Sequence, residues 1–125
     1  MVNILKKNET FFLGAIAVYS FPLEEDEVII KKGMANLYCE DAVLNGALYL
    51  TNQRLVFVGY LLDLAHKQLE EVPLVHIKEI KPEKTFFIIP NVIVLTTIRD
   101  RKLKLIVHGR NSWLSDINRQ TNLLN

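Results

Sequence analysis

The residue types that most often carry out catalysis or hold metal ions are few in this sequence. It contains one cysteine and three histidines: Cys39, His66, His76 and His108. Cys39 is followed by Glu40 and Asp41, whose negative charge disfavours the thiolate form that acts as a nucleophile. No Cys-x-x-Cys pair, His-Glu-x-x-His motif or glycine-rich phosphate loop is present. The sequence therefore predicts no enzyme, no metal site and no cofactor.

The overall charge argues against a nucleic-acid-binding protein. Lys and Arg number 15 against 14 Asp and Glu, which gives a formal net charge of +1, whereas nucleic-acid binders usually carry a strong basic excess. Of the 125 residues, 50% are hydrophobic, as is typical of one folded globular domain. A single cysteine cannot form an internal disulfide, so we expect a cytoplasmic protein rather than a disulfide-stabilised secreted one.

The first 27 residues have a different pattern from the rest of the chain. The apolar stretch Phe11–Leu23 is shorter than the roughly 20 residues that cross a bilayer. A secretory signal peptide is the alternative, but Glu9 lies where that signal should be positively charged. We predict an N-terminal extension over residues 1–27, with a short helix that ends before Pro22 and a solvated connector at Glu24–Glu27. Its apolar side would pack on the domain or on a partner.

From residue 28 the sequence has the pattern of a series of β-strands. The predicted strands are Val28–Tyr38, Gly46–Thr51, Arg54–Tyr60, Gln68–Val72, Ile77–Phe87, Val92–Ile98 and Lys102–Val107. We predict a loop at Cys39–Asn45, a turn at Ile89–Asn91, and a tight turn at Asn52 and Gln53, where Asn tolerates a positive φ. Gly33 is expected to mark a bulge or a bend in the first strand.

The C-terminal segment changes to helical periodicity. Its apolar face recurs at spacings of three and four, at Trp113, Leu114, Ile117, Thr121 and Leu124. This pattern predicts an amphipathic helix over Asn111–Leu124, capped by Asn111 or Ser112. The sequence thus predicts a mainly β domain over residues 28–125, a seven-stranded antiparallel barrel or sandwich capped by one C-terminal helix.

Four segments resemble the motifs of one domain family. They are Gly46–Phe57 (GALYLTNQRLVF), Val72–Ile80, Ile89–Asn91 and Val107–Ile117. In order and spacing they are similar to the signature hairpin, the proline-containing segment after the fourth strand, the later strands and the Trp-bearing helix start of GRAM domains. The resemblance covers about residues 28–124 and implies the pleckstrin-homology-like fold. The short chain looks like the small, single-domain bacterial members of the family.

The resemblance implies a binding module rather than an enzyme, because GRAM and pleckstrin-homology domains typically bind membrane lipids or protein partners. Family members that bind phosphoinositides use bases around the loop between the first two strands. Here that loop, Cys39–Asn45, holds two acids and no base. Arg54 is expected to pair with a carboxylate or with loop carbonyls, and Gly46 is expected to let two backbones approach closely.

Another set of residues has the composition of a membrane contact. In the pleckstrin-homology-like fold the loop between strands three and four lies near the loop between strands six and seven. The leucines and bases of these loops are Leu61, Leu62, Leu64, Lys67, Arg99, Arg101 and Lys102. In such a contact the apolar groups enter the headgroup region of the bilayer, and each base contributes about 1 kcal/mol to the free energy of binding to an anionic surface. Alternatively, the leucines extend the third strand into the core and the bases form a solvated turn.

We therefore predict a non-catalytic binding module whose first candidate function is protein–protein interaction or self-association. The acidic first loop and the apolar N-terminal extension favour this function. The alternative is peripheral binding of anionic membrane lipid through the seven residues named above, which would bring the cytoplasmic protein to a membrane surface. Neither function involves nucleic acid.

Overall fold

Seven antiparallel strands and one helix form the scaffold of the protein. The structure is a computed structural model, and it describes residues 21–39, 42–60, 67–85 and 89–124. The strands are β1 (Ile29–Cys39), β2 (Ala42–Thr51), β3 (Arg54–Tyr60), β4 (Lys67–Pro73), β5 (Ile77–Thr85), β6 (Ile89–Thr97) and β7 (Lys102–Val107). A 3-10 helix, Leu74–His76, joins β4 to β5, and helix α1 spans Arg110–Leu123. The predicted mainly β architecture with a C-terminal helix is confirmed.

The strands form one sheet in the order β4-β3-β2-β1-β7-β6-β5. Because β4 and β5 are edges of this sheet, it is folded as a sandwich and does not close into a barrel. β1 pairs with β2 along most of its length but with β7 only from Ala35 to Tyr38, so strands β1–β4 and β5–β7 make the two layers. The edge position of β5 suits Pro82, which has no N–H to donate to a neighbouring strand.

The predicted strands agree with the structure except at two segments. β3 and β7 have the predicted bounds. However, the predicted loop Cys39–Asn45 is wrong at Cys39, which belongs to β1, and at residues 42–45, which belong to β2, and Ile89–Asn91, predicted as a turn, belong to β6. Asn45 pairs with Asn36 of β1 and with Tyr60 of β3. Pairing on both sides therefore outweighs the low strand propensity of asparagine.

The irregularity of β1 is not where the sequence predicted it. The register shifts between Ile29 and Lys31, whereas Gly33 pairs regularly with Leu48. Gly33 faces the helix, since a Cβ at this position would lie 3.4 Å from Cζ2 of Trp113, an ordinary van der Waals contact. The regular pairing means that Gly33 marks no bulge.

Helix α1 closes one side of the sandwich. Its N-cap is Gly109, whose φ of 71° is left-handed, so the predicted capping by Asn111 or Ser112 is wrong. Trp113 and Ile117 are its buried residues. No helix among the described residues is long and apolar enough to cross a bilayer.

The main core lies between the two layers and α1. Its buried side chains are Ala35, Leu37, Leu44, Leu48, Leu50, Leu55, Phe57, Val72, Leu74, Ile93, Leu95, Leu103, Leu105, Val107, Trp113 and Ile117. The leucines and the phenylalanine of the β2–β3 hairpin are part of this core. A Cβ added to Gly46 would lie 2.0 Å from the carbonyl oxygen of Val58, which confirms the close approach expected at that glycine.

Candidate functional site

The β2–β3 hairpin carries apolar side chains on both of its faces. Because side chains alternate along a strand, Ala47, Tyr49, Val56 and Val58 lie on the face opposite the main core. They are buried and form a second hydrophobic cluster, the outer cluster, with Phe21 packed against it. A sheet face that met only water would carry polar residues here. Both faces of the hairpin are therefore covered.

Exposed apolar side chains border the outer cluster on two sides. On β1 and β2, Met34 is 58% exposed and Val43 is 51% exposed. Tyr38, the cross-strand partner of Val43, is exposed as well. On β4, Leu69 is exposed beside its partner Val58. We call Met34, Tyr38 and Val43 the β1–β2 stripe.

A shallow groove of about 490 Å³ adjoins this stripe. Its lining includes Met34, Asn36, Asn45, Ile106 and His108, and contains no Asp, Glu, Lys or Arg. The side-chain amides of Asn36 and Asn45 hydrogen-bond to each other across β1 and β2. Apolar and amide groups without a formal charge suit an uncharged segment of protein chain better than they suit a phosphate.

The stripe was not predicted from the sequence, although part of its signal is present there. Ala47–Leu50 and Leu55–Val58 are continuous apolar runs within their strands. Such runs are typical of strands that are covered on both faces. They could have indicated the outer face, but the exposure of Met34 and Val43 depends on which neighbours reach them in the folded chain.

The turn between β2 and β3 holds the segment that precedes β1. Arg54 donates from Nε to Oε2 of Glu27 at 2.8 Å and from Nη2 to Oε1 of Glu27 at 3.0 Å. It also donates to Oε2 of Glu71 at 2.7 Å and to the carbonyl of Pro22 at 2.9 Å. The guanidinium carbon lies 5.2 Å from the ring centroid of Phe21. The predicted pairing of Arg54 with carboxylates and carbonyls is confirmed.

Glu27 is buried, so the prediction of a solvated connector is wrong at this residue. Its Oε1 also accepts from the amide of Glu24 at 2.7 Å, and its Oε2 accepts from the hydroxyl of Thr51 at 2.6 Å. Hydrogen bonding from Arg54, together with the bonds from Glu24 and Thr51, lowers the pKa of Glu27 from 4.5 to about 2, although burial raises it. The carboxylate is buried because each oxygen accepts two hydrogen bonds.

The side chains of Asn52 and Gln53 extend this contact to the backbone. Asn52 accepts from the amide of Val28 at 2.8 Å and donates to the carbonyl of Asp26 at 3.0 Å. Gln53 donates to the carbonyl of Glu25 at 2.9 Å. We call this binding of Glu24–Val28 by Thr51–Arg54 the N-terminal latch. The signature sequence TNQR therefore has a structural role in this chain.

The turn of the latch is closed by a hydroxyl group. Oγ1 of Thr51 accepts from the amides of Gln53 at 3.0 Å and Arg54 at 2.9 Å. Among the described non-glycine residues, positive φ occurs at Asp26 and Asp100. The predicted turn is confirmed. The positive φ expected at Asn52 is wrong, because the hydroxyl of Thr51 closes the turn while Asn52 keeps a negative φ.

The β6–β7 turn repeats this local structure in an exposed place. Oγ1 of Thr97 accepts from the amides of Arg99 at 3.3 Å and Arg101 at 3.1 Å. The guanidinium of Arg101 forms an ion pair with Glu70 of β4. The turn thus reaches from the second layer to the edge strand of the first layer.

Two other charged groups of this turn also interact. Asp100, at a φ of 64°, accepts from Nζ of Lys78 at 2.9 Å. Lys78 lowers the pKa of Asp100, and Lys102 contributes to the same effect. Arg99 has no ion-pair partner among the residues that the structure describes. Arg99 and Lys102 are thus the two bases of this turn for which the described residues form no salt bridge, although Lys102 is close enough to Asp100 to lower its pKa.

Exposed apolar residues lie next to these bases. Val75 is 65% exposed and Ile98 is 54% exposed. The amide of Ile98 donates to the carbonyl of His76 at 2.9 Å, which joins the 3-10 helix to the turn. A cavity of about 290 Å³ lies here, lined in part by His76, Ile98 and Arg99. We call Val75, Ile98, Arg99 and Lys102 the basic corner.

The structure brings together part of the predicted membrane contact. Arg99, Arg101 and Lys102 lie on or beside one turn, and Arg101 is engaged by Glu70. Lys67 begins β4, three residues from Glu70 and hence about 10 Å away along the strand. Leu61, Leu62 and Leu64 lie outside the described residues, so their part of the prediction stays a prediction.

The residues considered for catalysis lie in separate elements. His76 lines the cavity of the basic corner and His108 lines the groove beside the stripe. Cys39 ends β1, and His66 lies outside the described residues. Within the described part of the chain, no three His, Cys, Asp or Glu residues are gathered as a metal ion would require.

The family of this chain is shown by a match to a domain model. The GRAM domain model matches residues 16–112 of this chain. The chain belongs to the GRAM domain family. GRAM and pleckstrin-homology-like domains are generally non-catalytic binding modules, often for lipids or proteins. The match includes the latch segment Glu24–Val28, while the predicted boundary between residues 27 and 28 stays a prediction.

The solved structures that are similar to this chain include the following two. The C-terminal domain of an unknown protein from Leishmania infantum has 18% sequence identity and a TM-score of 0.67, with 91% of this chain and 97% of that chain covered. The Vps36 N-terminal PH domain has 15% identity and a TM-score of 0.65, with 86% of this chain and 89% of that chain covered. These likenesses show the pleckstrin-homology-like fold. A comparison with curated protein sequences finds no match.

Proposed function

We propose that this GRAM domain is a non-catalytic protein-binding module that takes up an uncharged apolar segment of its partner on the β1–β2 stripe. The observation that supports this function is the exposure of Met34, Tyr38 and Val43 beside a groove whose lining holds no Asp, Glu, Lys or Arg. Adjacent exposed apolar side chains are typical of interaction surfaces, because each loses contact with water when a partner covers it.

The amides in the groove would give such a contact its orientation. Asn36 and Asn45 are exposed enough to meet a partner, and their carbonyl and NH₂ groups can bond to a peptide backbone. A charged partner group would be desolvated there without an opposite charge to meet it, which is costly. The partner chemistry that fits is therefore apolar with unpaired backbone groups.

Selection from a phage-displayed peptide library, with the full chain as bait, tests this function. We expect enriched peptides to be apolar and to lack Asp, Glu, Lys and Arg. Met34→Asp and Val43→Asp should each weaken their binding at least tenfold, because a buried carboxylate without a partner costs more than about 1.4 kcal/mol. Val75→Asp is the matched control, since it places the same charge on an exposed apolar position at the basic corner.

Two results would contradict the proposal. One is the enrichment of strongly charged peptides, and the other is an equal loss of binding in Val75→Asp. Sedimentation velocity of the chain alone provides a separate outcome. A mass that rises with concentration in the parent chain, and does not rise in Met34→Asp, would assign the stripe to self-association instead.

Peripheral membrane binding is the second candidate function, and the basic corner supports it. Val75 and Ile98 are exposed, Ile98 directly precedes Arg99, and Lys102 begins β7 after the same turn. Exposed apolar residues near bases suit an anionic bilayer surface. The acids that neutralise neighbouring bases, Glu70 at Arg101 and Asp100 at Lys78, weaken this surface. For that reason we prefer protein binding at the β1–β2 stripe to membrane binding at the basic corner.

Co-sedimentation with neutral and with phosphatidylserine-containing vesicles, at low and moderate salt, tests the second candidate. We expect binding to the anionic vesicles only, and a loss of roughly 30-fold or more in Arg99→Glu/Lys102→Glu, since each base contributes about 1 kcal/mol. Lys81→Glu/Lys84→Glu on β5 changes the charge equally and should leave binding close to the parent level. Equal losses in the two double variants would argue against the basic corner.

A further inference from the structure

Another cavity adjoins the β1–β2 stripe at Tyr38. This tyrosine pairs with Val43 on β2 and with Lys104 on β7, so the stripe meets the second layer at this point. A cavity of about 460 Å³ lies here, and its described lining includes Tyr38, Lys102 and Lys104. A partner segment that binds along the stripe therefore has this cavity beside one of its ends.

The cavity differs in charge from the groove at the Met34 end of the stripe. Among the described residues, the groove is lined without Asp, Glu, Lys or Arg, whereas the cavity is lined by two lysines and one acid, Glu83. Lys102 and Lys104 are two residues apart on β7, so their side chains lie on the same face of the strand. The described lining thus has an excess of one positive charge, which favours an anionic group at the Tyr38 end.

Both ammonium groups of the cavity are available to an additional anion. Lys102 forms no salt bridge with any residue that the structure describes. Lys104 lies 3.3 Å from Oε1 of Glu83, but these side chains are 44% and 50% exposed, and an exposed pair of this kind contributes little to stability. Since an ammonium group has three donors, Lys104 can bond to a ligand carboxylate as well as to Glu83.

We propose, on the basis of the function proposed above, that the partner segment on the stripe ends in a free carboxyl terminus, which Lys102 and Lys104 bind in this cavity. A segment that fits the groove has no charged side chain. The carboxylate that suits the cavity is therefore the one that a chain carries at its end. Met34 and Tyr38 are four residues apart on β1, or about 13 Å, so about four extended residues of the partner lie between the groove and the terminal carboxylate.

Affinity measurements with two forms of one peptide test the proposal. The peptide is selected on the full chain from a library displayed with free carboxyl termini, and is then synthesised as the free acid and as the C-terminal amide. We expect the acid to bind about tenfold more tightly, as measured by fluorescence anisotropy, because the amide cannot form charge-assisted hydrogen bonds with the lysines. Lys102→Gln/Lys104→Gln should remove this preference. Lys84→Gln/Arg119→Gln, which removes the same charge outside the cavity, should keep it.

A change at Glu83 should have the opposite sign. Glu83→Gln removes the carboxylate that competes with the ligand for Lys104, so the free acid should bind several-fold more tightly to this variant than to the parent chain. The amide form carries no carboxylate and should bind to both with the same affinity. Equal gains for the acid and the amide would contradict the proposal, because the effect of Glu83 would then not depend on the carboxylate.

Met34→Asp separates a failure of this proposal from a failure of the proposed function. Because it acts on the stripe, it should weaken the acid and the amide alike. If it does so while the parent chain binds both forms equally, the stripe remains a binding surface and the carboxylate site is overturned. A preference for the acid that persists in Lys102→Gln/Lys104→Gln overturns that site as well. If Met34→Asp weakens neither form, the proposed function fails, and the proposal that rests on it fails too.

Discussion

The β2–β3 turn and the β6–β7 turn have the same local design and opposite surroundings. In each, a threonine hydroxyl accepts hydrogen bonds from two amides of the turn, Thr51 in one and Thr97 in the other. Each turn ends in an arginine that pairs with a glutamate. The side chains of the Arg54–Glu27 pair are 10% and 0% exposed, whereas those of the Arg101–Glu70 pair are 49% and 21% exposed.

The difference between the two turns arises from the segment before β1. Glu24–Val28 wraps the first turn and removes its charges from water, whereas the second turn keeps its face open to solvent. A buried pair strongly resists the loss of one partner, while an exposed pair contributes little to stability. The first turn therefore contributes to the stability of the fold through a buried ion pair, whereas the charges of the second turn stay in contact with solvent.

Removal of Arg54 should have the largest effect of any change at the two turns. In Arg54→Met, Glu27 stays buried without its counter-charge, and we expect the free energy of unfolding to fall by about 3–5 kcal/mol. Urea denaturation followed by tryptophan fluorescence measures this loss. Arg101→Met is the matched change at the exposed turn and should cost about 1 kcal/mol or less.

The double variant Glu27→Met/Arg54→Met shows whether the unpaired charge causes the loss. We expect it to be more stable than Arg54→Met alone, because no buried carboxylate is left unpaired. A double variant that is less stable than Arg54→Met would show that the aliphatic packing of Arg54, and not its charge, dominates.

Acid should weaken the buried pair next. The pKa of Glu27 is about 2 in the folded chain and 4.5 without its contacts, so its ionisation stabilises the fold by about 3 kcal/mol. This contribution is complete above about pH 4.5 and is lost as the pH falls toward 2. Urea midpoints between pH 2 and pH 7 should therefore fall more steeply for the parent chain than for Glu27→Gln. Parallel curves would contradict the low pKa.

Loss of the threonine hydroxyl should have a moderate effect at the latch. Thr51→Val removes the 2.6 Å bond to Glu27 and the acceptor of two turn amides, and we expect a cost of about 1–3 kcal/mol. Thr97→Val removes only amide contacts and should cost less. Thermal unfolding of both variants makes the comparison, and an equal cost at the two sites would remove the distinction between the turns.

The smallest effect is expected for the surface pair of the exposed turn. Asp100→Asn removes the charge that pairs with Lys78, while asparagine still adopts the φ of 64° observed there. The midpoint of urea unfolding should not change, at low or at high salt, because solvent screens exposed charges. A salt-dependent loss of stability would show that this turn, too, is held by its ion pairs.

The candidate surfaces were predictable from the sequence to different degrees. The bases Arg99 and Lys102 were found from sequence because residues of a tight turn stay together in any fold. Their apolar neighbour Val75 was missed, because the bond between Ile98 and His76 joins segments that are far apart along the chain. The β1–β2 stripe was missed because alternation predicts which residues share a face but not which face is covered.

Features that depend on residues close together in the chain could be predicted without a structure. The strands β3 and β7, the TNQR hairpin, the C-terminal helix and the family all follow from alternation, helical spacing and motif order. The burial of Glu27 and the exposure of Met34 and Val43 depend instead on contacts between distant segments of the folded chain. Glu27 belongs to an acidic run whose composition predicts exposure to solvent. It is buried because Arg54, 27 residues later, supplies the charge and the hydrogen bonds that a carboxylate needs away from water.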